Sequence, residues 1–211
     1  MKKEKFGIKI RDRDGKPVLE VGSHIIQEAP EFSKKIGAIA ALWAQAEVNL
    51  NCLFAVLLDT TPDDAKKQLK KYNGAAKTTN AARELAAEYL EAEELQSVTD
   101  VLTRLDLSRS KRNRVQHDVW AKKGDTTQTL FAIHSNEYFE FTTKLLALTE
   151  STTQDNENYE AITNLAAGFS EKVSVGYTIA DFLRIEDELN LINGLLMKAM
   201  FFRLSQRSEG K

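Results

Sequence analysis

The sequence EELQSVTDVLTRLDLSRSKRNRVQHDVW, residues 93–120, has the apolar spacing of one long helix and then becomes polar. At about 100° per residue, four apolar side chains project onto one side of this helix, as expected for a side that faces a core. They are Val98, Val101, Leu102 and Leu105. Roughly the same arc then carries Arg109, Arg112, Asn113, Gln116 and, at its margin, His117 and Trp120. Because buried polar groups are costly unless they are paired, this polar segment lines a cleft, faces a partner, or is a salt-bridged helix end that reaches solvent.

Two other long helices are predicted. One covers residues 31–58, and the other covers 178–207 after the capping sequence Thr178-Ile-Ala-Asp181. The last helix has apolar residues on two sides, so we expect it to pack against two partners, and a second copy of the chain is one candidate. Shorter helices are predicted at 63–72, 77–90 and 159–169.

The β structure is predicted in two places. Residues 6–22 alternate apolar and polar side chains around Asp14-Gly15, which indicates a hairpin that packs as a flap. The other place contains a hairpin at 129–134 and 138–142 and a strand at 173–177. Between them, residues 149–158 have too few apolar groups to pack and are predicted to form a mobile surface loop.

These elements predict a mainly α fold. We expect a helical bundle with small β-hairpin additions at the N-terminus and between the last two long helices. The predicted organisation is an N-terminal flap at 1–29 and a single helical-bundle domain at 30–211, with a mixed β and loop insertion at about 126–177. A chain of 211 residues is long enough for one substantial core.

The composition limits the classes of function. The net charge is −2, so a nucleic-acid surface must be a local patch. One cysteine and three histidines give little support to a metal site, and the sequence shows no Gly-rich phosphate loop and no His-Glu-x-x-His. We therefore predict no metal and no cofactor. The lone cysteine and the lack of a signal peptide or a membrane-length apolar run favour a cytoplasmic protein without membrane partners.

Glu47 is a carboxylate near the middle of the apolar stripe of the helix at 31–58, one turn after Trp43. An isolated charge in an apolar setting is strongly destabilising, so Glu47 needs a cation, a shared proton or a cleft. Two roles remain open, a buried ion pair with an arginine and a place in an active site. They can coincide, because an arginine held by Glu47 can also contact a substrate.

Arg112, four further residues and His117, with Asn113 directly after the arginine, resemble the Arg-x(4–6)-His motif of the HEPN family of helical-bundle ribonucleases and toxins. The Asp-Val-Trp120 that follows is also similar to bacterial members. The resemblance covers residues 31–122 and 178–207. It implies a dimeric, metal-independent endoribonuclease that leaves a 2′,3′-cyclic phosphate and a 5′-hydroxyl.

The resemblance also implies roles for individual residues. His117 would move protons near neutral pH, Arg112 would hold the phosphate, and Asn113 would orient the ring or bind a phosphate oxygen. Glu47 is the candidate for a supporting polar residue from an earlier helix. Further contacts to RNA are predicted for Arg109, Lys111, Arg114, Gln116, Lys122 and Lys123.

RNA, a second copy of the chain and a regulatory or antitoxin partner are the implied partners, in a toxin or antiviral setting. One alternative is a non-catalytic HEPN-like binding or dimerisation module, since many helical modules of this kind only bind. Another is a nucleotide-binding helical protein. The sequence shows no clear aromatic platform for single-stranded RNA, which disfavours sequence-specific RNA recognition.

Overall fold

The structure is a computed structural model that describes residues 7–12, 14–72, 74–124, 126, 128–150 and 156–209. The described residues form eight helices and five strands, which confirms the mainly α fold with small β additions. In chain order they are β1 (Ile8–Arg11), β2 (Pro17–Val21), α1 (Ser23–Gln27), α2 (Pro30–Leu57), α3 (Pro62–Leu69), α4 (Ala75–Tyr89), α5 (Ala92–His117), β3 (Val119–Lys123), β4 (Leu130–Ile133), α6 (Ser135–Glu150), α7 (Asn156–Lys172), β5 (Gly176–Tyr177) and α8 (Ile179–Glu209).

The chain divides into two compact units. The first unit contains the described residues of Met1–Ile36 and Asn113–Leu183, and the second contains those of Gly37–Arg112 and Arg184–Lys211. Helices α2, α5 and α8 have residues in both units.

The first unit contains an antiparallel sheet in the order β1-β2-β3-β4-β5. The hairpin predicted at 6–22 is confirmed as β1 and β2, and it forms the first two strands of this sheet. One side of the sheet packs against α6 and α7, where the rings of Phe141 and Phe169 are stacked with centroids 3.9 Å apart. The buried core here consists of Leu19, Val21, Ala121, Ile133, Phe141, Phe169 and Val173.

The prediction that residues 138–142 form a strand is wrong, because they lie in α6. The run alternates as a strand would, but Tyr138, Phe141 and Leu145 also have helical spacing, and all three pack on the core of the first unit. The strands predicted at 129–134 and 173–177 are confirmed in part as β4 and β5.

The described residues of the segment 149–158 are helical and do not form a loop. Residues 149 and 150 end α6, and α7 begins at Asn156 and contains the helix predicted at 159–169. The middle of the predicted mobile loop, residues 151–155, lies outside the described residues.

The prediction that the helix of residues 93–120 reaches Trp120 is also wrong. Helix α5 ends at His117, and Trp120 lies in β3, which pairs with β2 and β4. Its side chain is buried in an aromatic cluster, with ring centroids 5.7 Å from both Tyr177 and Phe182. Sheet pairing and aromatic packing, which are not visible in the helical pattern, end the helix earlier.

The second unit is helical. The predicted core stripes are confirmed by buried side chains on α2, α5 and α8, among them Trp43, Leu50, Phe54, Val98, Leu102, Leu105, Leu189, Ile192 and Leu196. A buried amide pair joins α2 to α8, since Asn49 Nδ2 donates to Asn193 Oδ1 at 2.8 Å and Asn193 Nδ2 donates to the Leu42 carbonyl at 3.0 Å. These hydrogen bonds satisfy polar groups that would otherwise be costly inside a core.

Helix α2 is long and apolar enough to cross a bilayer by length and composition alone. The core helix of a soluble protein meets the same criterion, and in the second unit α2 buries Ile39, Trp43, Leu50 and Leu53.

Candidate functional site

Arg109 and Arg112, on α5 in the second unit, both lie over the indole of Trp43. Their guanidinium carbons are 6.0 and 5.5 Å from the ring centroid. A cation over an aromatic face is attracted by the negative potential of the ring, and Trp is the strongest partner of this kind. Trp43 is only 2% exposed, so α2 provides a fixed platform for both side chains.

Arg109 is anchored inside the second unit. Its Nη1 pairs with Asp106 Oδ1 at 2.6 Å, and its Nη2 donates to Thr79 Oγ1 at 2.9 Å. Asp106 is also bonded to Arg83. Two of the hydrogen-bonding nitrogens of Arg109 are therefore engaged by the protein itself, which reduces its capacity to bind phosphate.

Asn113 and His117 lie on α5 in the first unit, and both side chains are exposed. Residues four apart on a helix are neighbours on its surface, so the carboxamide and the imidazole share one face. The imidazole of His117 has no hydrogen-bond or ion-pair partner within the described part of the chain. This face therefore presents a proton-transfer group, the His117 imidazole, to solvent.

Arg114, the next basic residue of the first unit, is held by Asp118. Its Nε donates to Asp118 Oδ2 at 2.9 Å, and the carboxylate of Asp118 is only 5% exposed. Burial alone would lower the pKa of the Arg114 guanidinium, but the bond to Asp118 and the nearby charges of Tyr177, Asp118 and Glu137 together outweigh burial and raise the pKa. Arg114 thus neutralises a buried carboxylate at the end of α5.

Lys122 and Lys123 of β3 also have partners in the first unit. Lys122 Nζ lies 2.9 Å from Glu20 Oε2 and 3.5 Å from Glu28 Oε2, and the bond to Glu20 raises the pKa of the lysine. Lys123 Nζ lies 5.2 Å from the ring centroid of Phe131. Both predicted phosphate contacts therefore take part in interactions within the unit.

The other two predicted RNA contacts differ in exposure. Lys111, in the second unit, is exposed, and Gln116, in the first, is half-buried. Neither side chain has a hydrogen bond or ion pair with the described residues. Among the predicted site residues, the exposed ones are Lys111, Asn113 and His117.

Glu47 lines a pocket in the second unit, with Asn51 and Tyr72 among its other lining residues. It is half-buried, and within the described ranges it forms neither an ion pair with an arginine nor any other hydrogen bond. Arg109 and Arg112 instead lie over Trp43, which is one turn before Glu47 on α2. The ion pair considered for Glu47 is thus not found among the described residues.

Sequence reasoning missed Trp43 and Tyr72. Trp43 is buried on α2, and Arg109 and Arg112 lie over its indole. The apolar pattern of one helix does not show which residue of another helix packs against it.

Among the residues that the structure describes, no group of three or more His, Cys, Asp or Glu side chains can hold a metal ion.

Comparison with known proteins gives no relative: no family model matches the chain, and no curated protein or solved structure matches it.

Proposed function

We propose that the protein is a metal-independent endoribonuclease of the HEPN type, with His117, Arg112 and Asn113 as the residues that act on RNA. The observation that supports this most is the exposed imidazole of His117, unoccupied by the described residues and one helical turn from Asn113. A general acid or base must be within reach of the proton that it moves, and a ring already bonded within the protein is less able to do so.

The proposed reaction uses the nucleophile that RNA itself carries. His117 removes the proton of a 2′-hydroxyl, whose oxygen attacks the adjacent phosphorus, and the bond from phosphorus to the 5′-oxygen breaks. The leaving oxygen takes a proton from water or from the motif of a second copy. The products are a 2′,3′-cyclic phosphate and a 5′-hydroxyl.

Arg112 is the proposed phosphate ligand. The planar guanidinium binds two phosphate oxygens at once, and its contact with Trp43 limits the orientations of the plane. Arg109, Arg114 and Lys122 are engaged by carboxylates within their own units, so we expect few phosphate contacts in total. Affinity for RNA should accordingly fall only modestly with salt, because each neutralised phosphate adds to that dependence.

The test is cleavage of total RNA by the purified chain in EDTA, with His117→Ala, Arg112→Ala and, as a matched control, His134→Ala. His134 is an exposed histidine outside the motif. General acid–base catalysis contributes roughly 100-fold or more, so we expect cleavage to fall by at least that factor in His117→Ala and to persist in His134→Ala. Equal cleavage by the wild type and by folded His117→Ala contradicts the proposal.

A second candidate function is a non-catalytic dimerisation module. It is favoured by apolar side chains of α8 in the second unit that remain exposed, with Phe201 at 62%. The others are Leu191, Met197, Phe202 and Leu204. They are spread over residues 191–204, roughly 20 Å of helix, and exposed apolar side chains in such number are typical of an interaction surface.

A further inference from the structure

The pocket that contains Glu47 has a volume of about 240 Å³ and lies in the second unit between α2, the residues that follow α3, and the start of α4. Drug-sized ligands occupy pockets of roughly 300–1,000 Å³, so this one suits a smaller group such as a single base or an amino acid. Leu50 and Leu69 give it apolar walls, and Glu47, Asn51 and Tyr72 contribute polar atoms.

Glu47 and Asn51 are four residues apart on α2 and therefore lie on the same face of the helix. Glu47 supplies two acceptor oxygens, and the carboxamide of Asn51 supplies N–H donors. Neither side chain is hydrogen-bonded to another described residue. A half-buried carboxylate without a donor is unfavourable, so a ligand that brings N–H groups to Glu47 gains more than one that brings acceptors.

The four bases of RNA differ in what their Watson–Crick edges offer to such a carboxylate. Guanine carries two adjacent donors, N1–H and the N2 amine, next to the acceptor O6. Adenine and cytosine each place one donor beside an acceptor nitrogen, and uracil places one donor between two acceptor oxygens. Two parallel hydrogen bonds to one carboxylate are therefore available to guanine alone, and charge-assisted bonds of this kind are stronger than neutral ones.

We propose that this pocket binds a guanine base, with Glu47 accepting from N1–H and the N2 amine and with Asn51 donating to O6. The inference rests on the proposed function in one respect, since the guanine is taken to belong to the RNA that is cleaved. It deepens that function by assigning a base preference to a residue that was expected only to support the reaction.

The walls of the pocket suit a flat base. The ring of Tyr72 is held in an edge contact with Phe54, with centroids 5.7 Å apart and planes at 73°. Tyr72 also lines the pocket, and stacking of a base on its ring is the contact that we expect here. The start of α4 is a further source of donors, because no side chain of the described residues caps it and the N–H of Ala75 has no acceptor within the helix.

The first experiment measures binding of GMP, IMP and AMP to the full chain by calorimetry. IMP lacks the N2 amine, and the loss of one hydrogen bond to a charged group corresponds to roughly a 10-fold to 100-fold loss of affinity. We expect GMP to bind best, IMP to bind at least about 10-fold more weakly and AMP to bind no better than IMP. Equal affinities for GMP and AMP, or no binding of GMP, overturn the inference.

Variants then assign the binding to Glu47. Glu47→Gln keeps the size of the side chain and leaves one acceptor oxygen, so affinity for GMP should fall by about 10-fold or more. Glu84→Gln removes the charge of an exposed glutamate on α4, and its affinity should equal that of the wild type. Equal affinities of the two folded variants would exclude Glu47 as the guanine ligand.

Mapping of the cleavage sites tests this inference separately from the proposed function. It also distinguishes a site for free guanine nucleotide from a site for guanine in RNA. RNA cut next to guanosine by the wild type, with the preference lost in Glu47→Gln but not in Glu84→Gln, supports both. GMP bound through Glu47 by a chain that cuts no RNA supports the pocket as a free-nucleotide site and removes the nuclease. Cleavage without base preference, by a chain that does not bind GMP, removes the guanine site and leaves the nuclease.

Discussion

Glu20 is a buried carboxylate that accepts from three cationic or ionisable side chains in the first unit. Its oxygens lie 2.5 Å from Lys9 Nζ, 2.9 Å from His24 Nε2 and 2.9 Å from Lys122 Nζ. Burial alone would raise the pKa of Glu20, but the hydrogen bonds from Lys9, Lys122 and His24 outweigh it and lower the pKa from 4.5 to about 2. The folded state therefore holds this group ionised in a pH range where the unfolded chain protonates it.

This shift predicts acid sensitivity. The stabilisation by Glu20 is complete above the unfolded pKa of 4.5 and is lost as the pH falls through about 2. Its size is at most about 3 kcal/mol in the free energy of unfolding. Urea unfolding at pH 7, 4 and 3 should show that the wild type loses stability steeply below pH 4.5, and that Glu20→Gln starts lower at pH 7 and loses less.

The matched control for Glu20 is Glu140→Gln, which changes a fully exposed carboxylate that pairs with Lys144. The pair with Lys144 also lowers the pKa of Glu140, but solvent screens this exposed pair, so we expect the variant to keep most of the acid sensitivity of the wild type. If Glu20→Gln were to lose stability between pH 4.5 and 3 as steeply as the wild type does, the acid sensitivity would have to come from other carboxylates.

At the residue scale, the sequence indicates the chemical capacity of each side chain, but it did not lead us to the partner that each basic side chain binds. The sequence predicts phosphate contacts for Arg109, Arg114 and Lys122, because they are basic and near the motif. Each is instead paired with a carboxylate, and two of those carboxylates, Asp106 and Asp118, lie three or four residues away on or just after α5. Spacing of that kind is visible in the sequence and signals a local ion pair.

At the scale of elements, the start of α8 is a clear case of local sequence deciding structure. The side chain of Asp181 accepts from the backbone N–H of Thr178 at 2.8 Å and from its hydroxyl at 2.7 Å, and the Asp181 N–H donates to the Thr178 carbonyl at 3.0 Å. The Asp181 carboxylate reaches back to the N-cap N–H as expected for a capping box, with Asp in place of the usual Glu. The Thr178 hydroxyl, however, donates to that carboxylate and does not accept from the Asp181 N–H.

Removing the cap should therefore destabilise the protein. Asp181→Ala is expected to lower the free energy of unfolding by about 1 kcal/mol, as cap substitutions do. Asp187→Ala, at an exposed position in the interior of the same helix, should change it by less than about 0.5 kcal/mol. Chemical unfolding of both variants at pH 7 measures the difference, and equal stabilities would mean that the Asp181 bonds contribute nothing.

Elements whose identity depends on distant packing were harder to predict than α8. Residues 138–142 satisfy both a strand pattern and a helical one, and stacking of Phe141 on Phe169 favours the helix. The end of α5 likewise follows from the pairing of β3 with β2 and β4. Where the three long helices have clean apolar stripes, their bounds were predicted to within a few residues.

At the scale of the whole molecule, the proposed function predicts a homodimer. The exposed apolar residues of α8 offer one surface for it, with Phe201 and Phe202 as its largest side chains. We expect the wild type to be dimeric by light scattering and Phe201→Glu to be monomeric, because a buried charge opposes association. Lys198→Glu, a charge change at an exposed position of the same helix, is the control and should leave the dimer intact.

Combining this measurement with RNA cleavage separates the two candidate functions. A dimer that cuts RNA through His117 agrees with the nuclease, and a dimer that cuts none agrees with the dimerisation module. A wild-type protein that is monomeric at all concentrations contradicts the α8 surface as a dimer interface, both for the nuclease and for the dimerisation module.

Each unit contains one of the two tryptophans, Trp43 in the second and Trp120 in the first, and both indoles are buried. Intrinsic fluorescence can therefore follow each unit without any added label. In Trp120→Phe the emission reports on the second unit alone, and in Trp43→Phe on the first. Coincident midpoints in urea would identify one cooperative transition, and separate midpoints would assign a stability to each unit.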